Sequence, residues 1–183
     1  PHTPIASPPD LVESYMKYQT IPGQAEYWAN VGQIDRAMGE LMRGLKQRNL
    51  DNNTLIIFTS DNGPEDWMRY PGANKSHGTP GKAEGGVPLR GMKLDVFEGG
   101  IRVSGLMRWP EGIKGNRVVK EPVGAVDILP TLCDVAGVKL PQDLHLDGVS
   151  WSPLFQKEVN LQRKTPLFWF YYNARGYANF ALR

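Results

Sequence analysis

The feature that most constrains the fold is a short apolar run that ends abruptly in polar residues. Residues 55–58 are continuously apolar, and Asp61, Asn62 and Gly63 follow shortly afterwards. A strand covered on both faces has such a continuous run rather than an alternating pattern. These strands belong to parallel α/β sheets, in which ligands bind beyond the carboxyl ends of the strands. The run therefore predicts a buried strand with Asp61 at its carboxyl edge.

The segment before this run has the periodicity of an amphipathic helix. Between Gln24 and Gln47 the apolar residues recur at helical spacing: Tyr27, Trp28, Val31, Ile34, Met38, Leu41, Met42 and Leu45. Polar residues 48–53 then lead into the strand. A helix followed by a buried strand is half of a βαβ unit, so the pattern predicts an α/β fold.

The turn at Asp61, Asn62 and Gly63 has two interpretations. Asn-Gly and Asp-Gly are common hairpin turns, because these residues tolerate positive φ. A hairpin needs a second strand at once, however, and residues 64–72 have no alternation and include two prolines. The other interpretation is that two oxygen side chains are presented to a ligand. The local pattern leaves both interpretations open.

Composition excludes several classes of function. The chain has 183 residues, enough for one domain with a core, and its mixed charges sum to +2. This balance does not indicate nucleic acid or an anionic membrane surface as a partner. No apolar stretch approaches the roughly 20 residues of a membrane span. The single cysteine, Cys133, excludes an internal disulfide framework.

Cys133 lies in a segment that reads as a short helix. Asp127 is the candidate N-cap, Pro130 falls in the first turn and Gly137 is the candidate C-cap. No His or Lys lies close in sequence to lower the pKa of the thiol. The pattern therefore predicts that Cys133 is a small buried hydrophobe rather than a nucleophile. The last residues, 177–183, read as a further strand.

A second informative stretch covers residues 88–110. Arg90 and Lys93 precede Glu98 and two glycines, and residues 101–109 read as a strand. A lysine in such a loop can offer an anion a compact positive charge with three donors. The alternative is that Arg90 and Lys93 are solvated surface charges.

Together these segments resemble the sulfatases of the alkaline-phosphatase-like superfamily. The matching stretches occur in order: PHTP, YWANVGQIDRAMGELMRGLKQRNLDNNTLIIFTSDNGP, LRGMKLDVFEGGIRVSGLMRWP, VGAVDILPTLCDVAGVKLPQDLHLDGVSWSPLF and PLFWFYYNARGYANFALR. The resemblance implies a partial three-layer α/β/α core over residues 1–155. It also implies that residues 156–183 begin a small C-terminal α+β subdomain.

The resemblance also implies roles for individual residues. Asp61 and Asn62 match two oxygen ligands of the family's metal, Ca²⁺ first and Mg²⁺ second, and such oxygens suit hard cations. Lys93 and His2 match catalytic residues that contact the sulfate group. His77 lies in a Gly/Pro-rich connection, where it either contacts substrate or is an exposed, solvated side chain.

Two departures from the family pattern affect what this chain can do. The family's nucleophile is a formylglycine made from a Cys/Ser-x-Pro-x-Arg motif, and residues 1–183 contain no such motif. The acidic pair that completes the metal shell is also absent. The chain therefore resembles the middle and later part of a sulfatase, with formylglycine expected only in a more N-terminal region. We expect the whole protein to hydrolyse sulfate esters and the 183-residue fragment to be inactive.

Two other functions compete with this one. A phosphodiesterase or phosphonate-ester hydrolase of the same superfamily commonly has Asp-His-Gly at the turn, and the amide of Asn62 is a poor Zn²⁺ ligand. A non-catalytic anion-binding α/β module would explain the missing nucleophile. The family implies a periplasmic, secreted or lysosomal-type compartment and a sulfated small molecule or sugar sulfate as substrate. Self-association through an exposed sheet edge is a further expectation.

Overall fold

The computed structural model describes residues 6–18, 22–64, 89–141, 143–157, 159–174 and 178–183. The helices are, in chain order, α1 (Pro9–Met16), α2 (Pro22–Gln47), α3 (Glu98–Ile101) and α4 (Ile128–Val135). The strands are β1 (Ile56–Thr59), β2 (Gly105–Arg108), β3 (Phe168–Phe170) and β4 (Phe180–Leu182). Two 3₁₀ turns lie at Ala125–Asp127 and Ser152–Phe155.

The chain forms two compact units. The first comprises Pro1–Asp51, Phe58–Leu106 and Tyr171–Asn179, and the second comprises Asn52–Ile57, Met107–Phe170 and Phe180–Arg183. Strands β1 and β2 are hydrogen-bonded to each other in a two-stranded sheet. The predicted helix before β1 is confirmed, because α2 ends at Gln47 as the periodicity indicates.

In the first unit, α1 packs on α2 through small and apolar residues. Leu11 of α1 is buried, and Ala25 and Ala29 of α2 are completely buried. Tyr15 lies directly on Gly32, where an added Cβ would come within 2.6 Å of the tyrosine hydroxyl. Small residues on α2 therefore allow α1 to approach closely.

Strand β1 differs from its prediction in position and in burial. It begins and ends one residue later than the apolar run, and its second half is exposed, with Phe58 at 37%. The prediction that it is covered on both faces is wrong for the residues that the structure describes, where β2 is its hydrogen-bonded neighbour. The predicted strand over 101–109 is shorter than expected, because Ile101 ends α3 and β2 begins only at Gly105.

In the second unit, α4 has the C-terminus that the sequence predicts. Gly137 has a φ of +67°, and the amide of Val138 donates to the carbonyl of Cys133 at 2.8 Å. This geometry closes the helix with a left-handed glycine. Cys133 itself is only partly buried, so the prediction of a buried cysteine is wrong. Its predicted apolar neighbours are also exposed: Leu129 at 50% and Leu132 at 42%.

Strands β3 and β4 pair antiparallel and confirm the strand predicted at residues 177–183. Phe168 lies opposite Leu182, and Phe170 lies opposite Phe180. These four side chains share one face of the hairpin, and each is more than half exposed. Among the helices that the structure describes, none combines the length and apolarity needed to cross a membrane.

Candidate functional site

The predicted metal-binding turn directly follows β1. Asp61 is exposed and Asn62 is half-buried. The hydroxyl of Ser60 donates to the backbone carbonyl of Asn62 at 3.1 Å, and the side-chain amide of Asn62 donates to the carbonyl of Gly63 at 2.9 Å. This second hydrogen bond occupies the side-chain nitrogen of Asn62, so the side-chain oxygen is the atom that could act as a ligand. The turn therefore presents a carboxylate and an amide oxygen from adjacent residues.

Backbone hydrogen bonds join this turn to the loop that carries Lys93. The amide of Gly63 donates to the carbonyl of Gly100 at 2.8 Å, and the amide of Lys93 donates to the carbonyl of Pro64 at 2.8 Å. A Cβ on Gly63 would lie 1.8 Å from the carbonyl oxygen of Gly99, so the approach requires glycine. The structure thus brings the backbone of Lys93 beside the turn that contains Asp61.

The Lys93 loop is itself tightly folded. The amide of Gly99 donates to the carbonyl of Arg90 at 2.7 Å. A Cβ on Gly99 would lie 2.1 Å from the carbonyl oxygen of Gly91, which has a φ of +85°. The guanidinium of Arg90 lies 3.9 Å from the centre of the Phe97 ring, a cation–π contact. Arg90 therefore packs on its own loop instead of being a purely solvated charge.

Some of the predicted site residues lie outside the described residues. His2 and His77 fall in the ranges 1–5 and 65–88, which lie outside the described residues. Asp61, Asn62 and Lys93 are described, and their roles in binding stay predictions. Within the described ranges, no group of three or more His, Cys, Asp or Glu side chains is arranged to hold a metal ion.

A second polar cluster, centred on Asp127, is buried within the second unit. Its carboxylate accepts hydrogen bonds from the amides of Gly124 at 2.8 Å and Val149 at 2.9 Å. Arg163 donates to both carboxylate oxygens at 2.8 Å and also to the carbonyl of Pro122. Asp127 is completely buried, and the side chain of Arg163 is 12% exposed. This pair connects the start of α4 to segments far along the chain.

Burial and hydrogen bonding act in opposite directions on Asp127. Burial of the carboxyl works to raise its pKa, whereas the hydrogen bonds from Arg163, Gly124 and Val149, together with the charge of Arg163, lower it. The net effect is a pKa below the ordinary value, so the carboxylate stays ionised. The same pairing raises the pKa of Arg163. Every oxygen of this carboxylate is engaged by the protein, which indicates a structural role.

Sequence reasoning did not find this pair. Asp127 does precede α4, as the N-cap prediction requires, but its side chain makes no capping bond to that helix. Its carbonyl oxygen instead accepts from the hydroxyl of Thr131 and the indole of Trp151, both at 2.7 Å. Arg163 lies 36 residues after Asp127, and no local pattern connects two residues so far apart.

Comparison with known proteins places these segments in one family. The sulfatase family model matches residues 1–138. Arylsulfatase H of Canis lupus familiaris is 36% identical over 164 residues, which cover 87% of this chain and 26% of that protein. Steryl-sulfatase of Homo sapiens is 36% identical over 146 residues, which cover 80% of this chain and 24% of that protein.

A solved structure agrees with these relatives. Ps i-CgsB, crystallised in complex with k-i-k-neocarrahexaose, superimposes with a TM-score of 0.75 at 30% identity. The match covers 92% of this chain and 34% of that structure. This likeness assigns the alkaline-phosphatase-like α/β fold in outline. The chain spans about a quarter of the length of the curated relatives named above. It belongs to the sulfatase family.

Proposed function

We propose that the whole protein containing this chain is a sulfatase, and that the turn at Asp61 and the loop of Lys93 form one part of its active site. The observation that carries the proposal is the pair of backbone hydrogen bonds from Gly63 to Gly100 and from Lys93 to Pro64. They hold a carboxylate-bearing turn and a lysine-bearing loop together. Family membership supports sulfate esters over the phosphodiester alternative.

The donor types at the turn fit a hard divalent cation. Asp61 would provide a charged oxygen and Asn62 a neutral one, as Ca²⁺ and Mg²⁺ prefer. Ca²⁺ takes 6–8 oxygen ligands, so these two residues would supply only part of its shell. When bound, the cation would withdraw charge from the sulfuryl oxygens of the substrate. We propose Ca²⁺ first and Mg²⁺ second.

Lys93 and His2 would act on the sulfate group. The ammonium of Lys93 would neutralise charge on the sulfuryl oxygens and hold the ester in place. The imidazole of His2 would assist departure of the alcohol oxygen by proton transfer. The nucleophile, a formylglycine by family resemblance, would come from a Cys/Ser-x-Pro-x-Arg motif that residues 1–183 do not contain. His77 would belong to the loop that meets the substrate.

We propose a sulfated small molecule or sugar sulfate as the substrate, on the basis of the family and of one solved structure. Ps i-CgsB binds k-i-k-neocarrahexaose in its crystal, which supports a sugar sulfate as the substrate here. We further propose that residues 1–155 are the later part of the α/β/α core and that residues 156–183 begin the C-terminal subdomain. A periplasmic, secreted or lysosomal-type compartment fits this assignment.

Self-association of the chain, expected from the sequence through an exposed sheet edge, is a related proposal, and we now assign it to an apolar face of the β3–β4 hairpin. Phe168, Phe170, Phe180 and Leu182 expose more than half of their surface on one face of the β3–β4 hairpin. In water, such a face favours contact with other apolar surface. A concentration-dependent sedimentation coefficient that disappears on Phe170→Ser would support it.

The test of the function is substrate preference in the full-length protein. Turnover of an aryl sulfate should exceed turnover of an aryl phosphate diester, and Lys93→Ala should lower aryl sulfate turnover about 10²–10³-fold, as for loss of one transition-state donor. Lys139→Ala, an exposed lysine in the second unit, is the matched control and should have no effect. Preference for the phosphate diester, or full activity in Lys93→Ala, would overturn the proposal.

A further inference from the structure

The four residues Met92 to Asp95 form a turn with Lys93 at its second position. The amide of Asp95 donates to the carbonyl of Met92 at 2.9 Å, which is the hydrogen bond that defines a β-turn. Leu94, at the third position, has a φ of +76°. A positive φ at this position is what a type II turn requires, and glycine or asparagine normally supplies it. Leucine is an unfavourable residue there, because its Cβ crowds the backbone.

The unfavourable turn is held by the side chain of Asp95. Its carboxylate Oδ2 accepts a hydrogen bond from the amide of Met92 at 3.0 Å. Asp95 therefore engages both polar groups of the Met92 backbone, one through its own amide and one through its carboxylate. The two residues enclosed by these bonds are Lys93 and Leu94.

The same turn is fixed from its outer side. The amide of Lys93 donates to the carbonyl of Pro64, directly after the Asp61 turn. Gly100 packs against the base of the turn so closely that a Cβ there would lie 2.1 Å from the carbonyl oxygen of Asp95. The turn thus sets the backbone direction at Lys93, and the carboxylate of Asp95 is a side-chain group that stabilises this turn.

We propose that Asp95 is a positioning residue for Lys93, acting through the backbone of Met92 and not by contact with the substrate. The proposal rests on the proposed sulfatase function, in which Lys93 meets the sulfate. Loss of the carboxylate would release the strained φ of Leu94 and turn the lysine away from the Asp61 turn. Displacement of a catalytic group by about 1 Å costs up to about 100-fold in rate.

The first experiment measures aryl sulfate turnover in the full-length protein. Asp95→Ala should lower kcat/KM about 10- to 100-fold, as for other residues that orient a site. Asp95→Asn should stay within about threefold of the wild type, because its amide oxygen still accepts from Met92. Asp35→Ala, which removes an exposed carboxylate on α2, is the matched control and should match the wild type. Equal damage by Asp95→Asn and Asp95→Ala would overturn the proposal, since the charge would then matter instead of the hydrogen bond.

A double-mutant cycle separates positioning from general stability. If Asp95 acts through Lys93, Asp95→Ala should cause no further loss in a Lys93→Ala background. Multiplicative losses would mean that the two residues act independently, and the proposal would fail. Leu94→Gly should restore activity to Asp95→Ala, because glycine adopts the positive φ without the hydrogen bond from Met92 to Asp95, which we call the clamp. Absence of any restoration would likewise count against it.

A measurement independent of turnover distinguishes failure of this proposal from failure of the function. Amide hydrogen exchange of Met92 should quicken more than about tenfold in Asp95→Ala and remain near the wild-type rate in Asp95→Asn. Unchanged exchange in Asp95→Ala would overturn the clamp whatever the substrate is. Wild-type protein without aryl sulfate turnover would overturn the sulfatase function, while the exchange data would still decide the clamp.

Discussion

Asp61 and Asp127 each follow an apolar stretch, yet their carboxylates are used in opposite ways. Asp61 is exposed, and its carboxylate accepts from the hydroxyl of Ser60 at 3.4 Å. Asp127 is completely buried and accepts hydrogen bonds from Gly124, Val149 and Arg163. A carboxylate whose oxygens are all engaged by protein donors has no capacity for a ligand. The environment of the carboxylate, and not its place after an apolar run, separates a candidate ligand from a structural residue.

The two regions also hold their segments together by different means. Around the Asp61 turn, Gly63, Gly99 and Gly100 allow backbone groups to approach where a Cβ would collide. Around Asp127, charged side chains reach across the unit to join distant segments. Backbone packing leaves the carboxylate of Asp61 exposed, whereas both side chains of the ion pair are used in holding the segments together. This difference gives four ways to test the comparison.

The largest effect should come from breaking the buried ion pair. Asp127→Ala would leave the guanidinium of Arg163 buried without its carboxylate, which typically costs about 3–5 kcal/mol. Urea unfolding of the 183-residue chain should show this loss. Asp143→Ala, at an exposed position of the same unit, should change stability by less than about 0.5 kcal/mol. A loss below about 1 kcal/mol in Asp127→Ala would mean that the pair is not structural.

The next effect tests the glycine packing of the turn. Gly63→Ala places a Cβ 1.8 Å from the carbonyl oxygen of Gly99, and that oxygen belongs to the backbone and cannot simply rotate away. Forced backbone shifts of this kind cost about 1–3 kcal/mol. Gly105→Ala is the matched control, because nothing lies within 4 Å of a Cβ added there. Equal stability of the two variants in thermal unfolding would contradict the close approach.

Much of the local structure could be predicted, because its causes are local. Residues close together in the sequence determine the helical periodicity of α2 and the glycine terminus of α4. The Asp127–Arg163 pair could not be predicted, since 36 residues separate its partners. The exposure of the second half of β1 could not be predicted either. An apolar run indicates that a strand is suited to burial, but it does not indicate which segments cover the strand. At the candidate site, the identities of Asp61, Asn62 and Lys93 came from sequence, whereas the backbone bonds that join their segments came only from structure.

A third test uses the pH dependence of the buried pair. The folded-state pKa of Asp127 lies below its ordinary value of 3.8. The stabilisation is therefore complete above the unfolded-state pKa and is lost as the pH falls through the lower, folded-state pKa. The urea concentration at the unfolding midpoint of the wild type should decrease as the pH is lowered below about 4. The midpoint of Asp127→Asn should be lower at neutral pH and should decrease less on acidification.

Among the residues that the structure describes, one other carboxyl has a lowered pKa and needs its own control. Hydrogen bonds from Ser152 and Ser150 lower the pKa of Asp134, which is exposed. Protonation of Asp134 on acidification also removes stability, but the loss is smaller because the side chain is exposed to solvent. Asp134→Asn should therefore retain most of the wild-type dependence of the urea midpoint on pH. If Asp134→Asn abolished this dependence and Asp127→Asn kept it, the acid sensitivity would belong to Asp134 and not to Asp127.

The smallest effect concerns calcium binding by the 183-residue chain. Asp61 and Asn62 offer two side chains to an ion that takes 6–8 oxygen ligands. One exposed carboxylate offsets little of the cost of stripping the ion's hydration shell. Calorimetric titration should therefore give a Kd no tighter than about 0.1–1 mM. At 1 mM Ca²⁺ the added stability would be only about 0.4–1.4 kcal/mol.

Asp61→Ala should abolish this weak binding and Asp143→Ala should leave it unchanged. Micromolar affinity, or binding that survives Asp61→Ala, would mean that other residues of the chain complete the shell and that the exposed carboxylate of Asp61 is not the ligand.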